Sequence, residues 1–175
     1  MGKKLINVTG EIAKITYEGV LNQMKDINSN DEVVLLINSC GGSVYHGFAI
    51  YDLLSLLPNT ITTVTVGSCI SIATILFSLG TKRYIAQNAE YMIHSASYHV
   101  KEGLMNIDEC ESRQKSIRSD NQKIINAISQ SVGIKVGKGV LEAIFNSGKD
   151  FFFSADEAVE KGFATDILKD ISILI

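Results

Sequence analysis

An apolar run of strand length most constrains how this 175-residue chain can fold. Residues 33–37, Val-Val-Leu-Leu-Ile, are apolar without alternation, which is typical of a strand covered on both faces. A second strand is predicted over residues 61–66. Between the two strands, residues 46–57 are predicted to form a helix that ends before Pro58. Because strands joined by a helix run parallel and need layers on both faces of a sheet, the chain is predicted to belong to the α/β class.

The first half of the chain continues this alternation, in the order β-α-β-α-β-α-β-β, which favours a mainly parallel sheet. Residues 104–132 are polar almost throughout, which predicts one long exposed helix, or two, rather than core. Further on, Ser154 and Glu157 have the spacing of a capping box at a helix start. The predicted strands are 4–12, 33–37, 61–66, 83–86, 90–94, 151–153 and 164–168, and the predicted helices are 16–27, 46–57, 72–79, 104–132, 140–145 and 154–162.

Composition and charge exclude several classes of function. The net charge is −3 and no basic stripe occurs, so nucleic acid is not an expected partner. Residues 53–81 are nearly uncharged, but proline and glycine interrupt them, so no membrane span is expected. No signal peptide is recognised, and Cys40, Cys69 and Cys110 lack metal-binding spacing, so we expect a cytoplasmic protein with reduced thiols and no metal or other cofactor. The hydrophobic fraction of 46% predicts a well-filled core or an apolar face for partner subunits.

Residues 67–73, Gly-Ser-Cys-Ile-Ser-Ile-Ala, contain the best candidate for a nucleophile. Ser71 follows the strand predicted at 61–66 and directly precedes the helix predicted at 72–79. A strand-to-helix turn can lift a hydroxyl out of the core, next to the N–H groups and positive dipole end of the helix. The alternative is that Ser71 only caps this helix.

A serine nucleophile needs a base within hydrogen-bond reach and N–H donors for the oxyanion. The chain has three histidines. His94 ends the strand predicted at 90–94, and sites in α/β sheets gather at the carboxyl ends of strands, which makes it the best candidate base. His46 opens a predicted helix, and His99 lies in a polar segment.

Two further features could complete such a site. The pair Gly41-Gly42 follows the strand at 33–37, where glycines either allow close approach to a ligand or simply form a turn. An acid in a loop would orient His94, and the residues alone leave four aspartates open: Asp52, Asp108, Asp150 and Asp166.

Four segments, in order along the chain, resemble motifs of the Clp protease proteolytic subunit family. Residues 37–52 contain Ile-Asn-Ser-Cys-Gly-Gly-Ser-Val and Gly-x-Ala-Ile-Tyr-Asp, and residues 67–73 resemble the nucleophile motif. Residues 88–94 end in Met-Ile-His, and residues 150–162 begin Asp-Phe-Phe-Phe-Ser-Ala-Asp-Glu-Ala. The resemblance extends from about residue 4 to residue 168. It implies the α/β fold that this family shares with the crotonases, a superhelix of repeated β-β-α units with a protruding handle helix.

The resemblance also implies that the chain is a serine endopeptidase acting on polypeptides without a metal or other cofactor. Its nucleophile, base and orienting acid would be Ser71, His94 and Asp150. The oxyanion hole would consist of the backbone N–H groups of Gly42 and Ile72. Further substrate contacts are expected from the same double-glycine loop, at Gly41 and Ser43.

Assembly is a further implication of the resemblance. A single domain over residues 1–175 is expected, with a head at 1–95 and 140–175 and a handle at about 96–139. In the family the handle interlocks two heptameric rings, so a homo-oligomer is expected, as one heptameric ring or as stacked rings. An ATP-driven unfoldase is a family partner, but the arm that helps dock it has no match in this sequence.

Several positions depart from the family pattern. Cys40 replaces a proline, Ser95-Ala96 replaces Gln-Pro after the histidine, residues 97–103 replace a glycine-rich segment, and the spacing from His94 to Asp150 is longer. These departures resemble the ClpP-like peptidases of phage and prophage head-maturation modules.

Three alternatives compete with a Ser-His-Asp peptidase. The first is a catalytically inactive scaffolding member of the same fold. The second is a crotonase-type acyl-CoA enzyme. The third is a Ser-Lys peptidase that would use Lys82 or Lys101.

Overall fold

The structure is a computed structural model that describes residues 2–98, 104–131 and 133–174. Within these residues, seven strands form one mixed sheet flanked by helices, which confirms the predicted α/β class. His99 and Lys101, both considered above, lie outside the described residues. The elements in chain order are β1 Lys3–Ile12, α1 Lys14–Met24, β2 Glu32–Gly42, α2 Val44–Ser55, β3 Ile61–Ile70, α3 Ala73–Ser78, β4 Lys82–Ile85, β5 Glu90–Ile93, α4 Ile107–Ser129, α5 Lys138–Asn146, β6 Phe151–Phe153, α6 Ala155–Glu160, β7 Asp166–Ile167 and a 3₁₀ turn Ile171–Ile173.

The main path of the sheet is β1-β2-β3-β4-β7, and β5 joins it by pairing with β3 and with β6. Strand β3 changes partner along its length: Thr62–Thr65 pairs with β4, whereas Ser68–Ile70 pairs with β5. Between the two halves lies Gly67, with φ of 74°. This positive φ favours glycine, and a Cβ there would also lie 2.6 Å from the side-chain oxygen of Asn38 on β2. The second half of β3 therefore delivers the following residue, Ser71, beside β5.

Helix α3 lies at the centre of the packing. All residues from Ala73 to Phe77 are buried, and the helix packs against β2, β3, α2 and α4. A helix that is apolar on every side is stable only when it is covered on every side. The N-terminus of α3, directly after Ser71, is thus fixed by the core.

Strands β2 and β3 are both longer than predicted. Instead of ending at 37, β2 continues through Gly41 and Gly42, which pair with Glu11 and Ile12 of β1. The two glycines are therefore the last residues of a strand and not a loop after it. Likewise, β3 continues past residue 66 to Ile70, and α3 begins at Ala73, one residue later than predicted.

Residues 107–129 form one continuous helix, α4, whose two halves differ. The N-terminal half is largely exposed, as its polar sequence predicts. In the C-terminal half, Ile124, Ile125 and Ile128 are 4%, 3% and 1% exposed, and α4 packs against α3 and α5. The expectation that this segment lies outside the core is wrong for the C-terminal half. Neither α4 nor any other helix of the described chain combines the length and apolar character needed to cross a bilayer.

Candidate active site

Ser71 occupies a strained turn between β3 and α3. Its φ is 59°, and among the described residues it is the one non-glycine residue with positive φ. The Ser71 N–H donates to the Met92 carbonyl (2.9 Å), and the Ser71 carbonyl accepts from the N–H and Oγ1 of Thr74 (3.1 and 2.6 Å). No side chain caps α3, whose N-cap residue is Ile72. The Ser71 hydroxyl is therefore not used as a helix cap, and the capping alternative is excluded.

A continuous hydrogen-bond chain joins Ser71, His94 and Asp150. Ser71 Oγ lies 2.7 Å from His94 Nε2, and His94 Nδ1 lies 3.0 Å from Asp150 Oδ1. With the proton on Nδ1, the imidazole donates to the carboxylate and accepts the serine hydroxyl proton at Nε2. The histidine side chain is 29% exposed, so one edge of the site is open to solvent. This arrangement can transfer a proton away from Ser71 Oγ and activate it as a nucleophile.

Strand β5 brings the three residues together although they are far apart in sequence. It pairs in parallel with β3, Ile70 opposite Met92, and antiparallel with β6, Ile93 opposite Phe151. Each of the three polar residues directly follows or precedes one of these strands, so they meet at one edge of the sheet. Of the four aspartates that the sequence left open, Asp150 is the one bonded to His94 in the described structure.

The pair Gly41-Gly42 lies against the Ser71 turn. Both glycines have positive φ, 88° and 140°. A Cβ on Gly41 would lie 2.7 Å from the Ile70 carbonyl oxygen and 2.7 Å from the Cβ of Ser71. Only glycine permits β2 to approach the Ser71 turn so closely. The two glycines end a strand rather than forming a simple turn, and their close approach to a ligand stays a prediction.

The residues expected to supply N–H groups for an oxyanion are Ile72, next to Ser71 in the chain, and Gly42, which lines the same cleft. Ile72 immediately follows Ser71 at the N-terminus of α3, where N–H groups have no partner within the helix. Gly42 is adjacent in the β2 strand end and lines the same cleft as Ser71 and His94. Ser43 also lines this cleft, and its Oγ caps α2 by accepting from the His46 N–H (3.3 Å).

Ser71 and His94 open into a cleft of about 990 Å³. Aromatic side chains of α2, Tyr45 and Phe48, lie on one wall, and the segment after β5 with α4 forms another. A concave site with an apolar wall and a few polar groups is typical of a ligand-binding site. Asp52 lines the cleft as well.

Cys69, two residues before Ser71, is excluded as a competing nucleophile. Its side chain is fully buried. Burial raises the pKa of the Cys69 thiol to about 12. The thiolate, which is the reactive form, is therefore negligible near neutral pH.

Sequence reasoning missed the groups that hold the backbone of the site. Thr74 fixes the Ser71 carbonyl, and Met92 accepts the Ser71 N–H. The threonine three residues after the candidate nucleophile could have been recognised from the sequence as a partner of its backbone. A backbone carbonyl acceptor such as that of Met92 has no sequence signal. Among residues 2–98, 104–131 and 133–174, no cluster of three or more His, Cys, Asp or Glu side chains could hold a metal ion.

A family model and individual related proteins identify the same family for this chain. The sequence model of the Clp protease family matches residues 1–170. An ATP-dependent Clp protease proteolytic subunit of Streptococcus sanguinis SK36 is 26% identical over 175 residues, covering 97% of this chain and 87% of that protein. The protein of the same name in Streptococcus thermophilus LMD-9 is 27% identical over 170 residues, covering 94% and 84%. The family model matches nearly the whole chain, so the chain belongs to the Clp protease family, a family of peptidases.

Proposed function

We propose that the chain is a serine endopeptidase in which Ser71, His94 and Asp150 form a catalytic triad. The observation that supports this most directly is the hydrogen-bond chain from Ser71 Oγ through the His94 ring to the Asp150 carboxylate, with distances of 2.7 and 3.0 Å. Membership of the Clp protease family supports hydrolysis of peptide bonds in polypeptide substrates. The hydrogen-bond chain supports the serine type.

The geometry fits the following reaction. Ser71 Oγ attacks the scissile carbonyl carbon while His94 Nε2 takes its proton, and the carbonyl oxygen becomes an oxyanion that the N–H groups of Gly42 and Ile72 stabilise. His94 then gives this proton to the departing amine, which leaves an acyl group on Ser71. A water molecule attacks this ester with His94 again as base, releasing the acid and restoring the hydroxyl. Asp150 keeps the proton on Nδ1 and stabilises the transient imidazolium.

The alternatives find less support. Lys82 pairs with Thr62 near the start of β3, whereas Ser71 follows its end. The eight residue-to-residue steps of strand from Thr62 to Ile70 span about 26 Å, so Lys82 cannot serve as base for Ser71. A crotonase-type acyl-CoA enzyme needs no Ser-His-Asp chain, and an inactive scaffold needs no strained serine turn.

We also propose that the chain acts as a cytoplasmic homo-oligomer that encloses its sites in a chamber, as one heptameric ring or stacked rings. In this proposal residues 1–95 and 140–175 form the head and about 96–139 the handle. Exposed apolar side chains support subunit contacts, Leu56 being 81% and Ile107 74% exposed. The relatives' name, ATP-dependent Clp protease proteolytic subunit, supports an ATP-dependent partner. The proposal of a phage-type subgroup rests on the sequence departures after His94 alone.

Labelling with a fluorophosphonate, read by intact mass, tests the triad. Wild type should gain one adduct and Ser71→Ala none. His94→Ala should label at least about 10³-fold more slowly, because the base is lost. His46→Ala is the matched control, since His46 contacts Ser43 rather than Ser71, and it should label like wild type.

Each contrary outcome has a distinct meaning. An adduct that persists on Ser71→Ala would refute Ser71 as nucleophile. A folded, oligomeric wild type that gains no adduct would support the inactive scaffold. Acyl-CoA binding without labelling would support the crotonase-type enzyme.

A further inference from the structure

Asn121 links helix α4 to the chain segment that follows the candidate base. It lies in the buried half of α4 and is 8% exposed. Its Oδ1 accepts from the Ala96 N–H (2.8 Å), and its Nδ2 donates to Ser95 Oγ (2.8 Å). Buried amides are retained where their donors and acceptors are satisfied, and here both ends of the amide are used on two adjacent residues. The two hydrogen bonds therefore fix both the orientation of residues 95 and 96 relative to α4 and their distance from it.

The two residues that Asn121 binds come directly after His94. On its N-terminal side, the backbone of His94 is fixed by β5, where Ile93 pairs with Phe151 and the Met92 carbonyl accepts from Ser71. On its C-terminal side, up to residue 98, the side-chain bonds that reach another element all go to α4: Ala96 and Ser95 to Asn121, and Tyr98 to Ser116 and Asp120. Within the described residues, Asn121 is the α4 contact nearest in sequence to His94.

We propose that Asn121 is a positioning residue for His94. By holding residues 95 and 96, it sets the direction in which the His94 ring leaves the backbone, with Nε2 toward Ser71 and Nδ1 toward Asp150. Misplacing a catalytic group by about 1 Å can lower a rate about 10²-fold, so loss of this link affects the reaction rather than substrate binding. This inference rests on the proposed function of His94 as base.

Asn121→Leu tests the proposal, because leucine has a similar volume and removes both hydrogen bonds. Asn126→Leu is the matched control: the same change on the same helix, at a side chain whose bond, from Gln122, stays within α4. We expect Asn121→Leu to react with the fluorophosphonate about 10- to 100-fold more slowly than wild type, and Asn126→Leu within about twofold. On a peptide ester, kcat should fall with the labelling rate while KM changes less than about threefold.

A spectroscopic readout separates positioning from a general structural effect. The chain has three histidines, so the imidazole ¹⁵N spectrum is simple, and His94→Ala assigns the His94 signals. In wild type they should show one tautomer, with the proton on Nδ1 facing Asp150. In Asn121→Leu they should show a mixture of tautomers, and in Asn126→Leu they should match wild type.

The proposal is overturned if Asn121→Leu and Asn126→Leu label at the same rate and show the same His94 spectrum. If Asn121→Leu fails to fold, the variant Ser95→Ala tests the proposal instead. It removes the hydrogen bond that Asn121 Nδ2 donates to Ser95 Oγ and keeps the bond from the Ala96 N–H to Asn121 Oδ1. Ser95→Ala should label about 3- to 10-fold more slowly, and an unchanged rate refutes the proposal. Failure of the proposed function gives a different result. The fluorophosphonate then does not label wild type, or it still labels Ser71→Ala, whatever the His94 spectrum shows.

Discussion

At the scale of single residues, the contact between Gly41 and Ser71 tightly constrains the site. A Cβ at Gly41 would lie 2.7 Å from the Cβ of Ser71, closer than such atoms pack. Gly41→Ala should therefore push the Ser71 turn away from His94. We expect the rate of fluorophosphonate labelling to fall at least about 10²-fold, as expected for a displaced nucleophile.

The control is Gly10→Ala, which separates backbone strain from contact with the site. Gly10 has a similar φ, 77° against 88°, but a Cβ there meets nothing within 4 Å. Both variants should lose stability in urea unfolding, because alanine disfavours positive φ. The loss should be about 1 kcal/mol for Gly10→Ala and larger for Gly41→Ala, whose Cβ also clashes. Only Gly41→Ala should lose labelling, and equal labelling of the two would contradict the proposed packing.

The three cysteines should differ sharply in reactivity. Cys69 is buried with a pKa of about 12, whereas Cys40 and Cys110 are exposed. At pH 8, below the pKa of Cys69, iodoacetamide should add two groups to the native protein and three in denaturant. Intact mass counts the adducts, and a third adduct on native protein would contradict the burial of Cys69.

Motif spacing identifies the side chains of the site, because a nucleophile, a base and an acid must be particular residue types. Ser71 and His94 are candidates from the sequence, since Ser71 lies between a predicted strand and a predicted helix and His94 ends another predicted strand. The helix-cap interpretation of Ser71, however, stays open at that point. Asp150 is one of four possible aspartates until the family resemblance selects it. Asn121 is not recognisable, since a lone amide in a polar segment has no pattern and its partners lie 25 and 26 residues away.

At the scale of secondary-structure elements, one buried arginine ties β4 to the C-terminal part of the chain. Arg83 is 0% exposed, and its guanidinium donates to the carbonyl oxygens of Phe163 (2.7 Å), Gly80 (2.9 Å) and Gly162 (3.1 Å). These acceptors belong to the turn before β4 and the segment between α6 and β7. The arginine thus holds the outer strand β7 onto the sheet.

Arg83→Leu should reduce the free energy of unfolding by at least about 3 kcal/mol, because three buried carbonyls lose their donor. Arg118→Leu, on the exposed side of α4, should change it by less than about 0.5 kcal/mol. Urea unfolding followed by circular dichroism, at one protein concentration, measures both. Similar urea midpoints for Arg83→Leu and Arg118→Leu would show that the buried hydrogen bonds of Arg83 contribute little to the stability of the fold.

The kinds and order of the elements follow from periodicity, but strand ends do not. Apolar residues stop at Val66, so periodicity predicts that β3 ends there. The structure extends it to Ile70 because residues 68–70 gain a new partner, β5, that lies far away in sequence. In α4 the average polarity conceals the buried face formed by Ile124 and Ile128, since tertiary packing covers only one half of the helix.

At the scale of the whole molecule, the exposed apolar side chains favour self-association. We expect light scattering at micromolar concentration to give a mass several times the 19.1 kDa of one chain, seven times for a single ring. Ile107→Asp, at the exposed start of α4, should convert stacked rings to single rings, because it places a charge in the expected contact. Ser119→Asp is the matched control on the exposed face of the same helix. A 19.1 kDa particle for wild type would contradict the oligomer.

The position of β6 late in the chain also bears on biosynthesis. Asp150 joins His94 only after Phe151–Phe153 has paired with β5, whereas Ser71 and His94 are made much earlier. Chains emerge from the ribosome N-terminus first, so a growing chain lacks the last member of the proposed triad until most of it has been translated. Unfinished chains on a polysome would therefore be poor peptidases, and neighbouring nascent proteins would be spared.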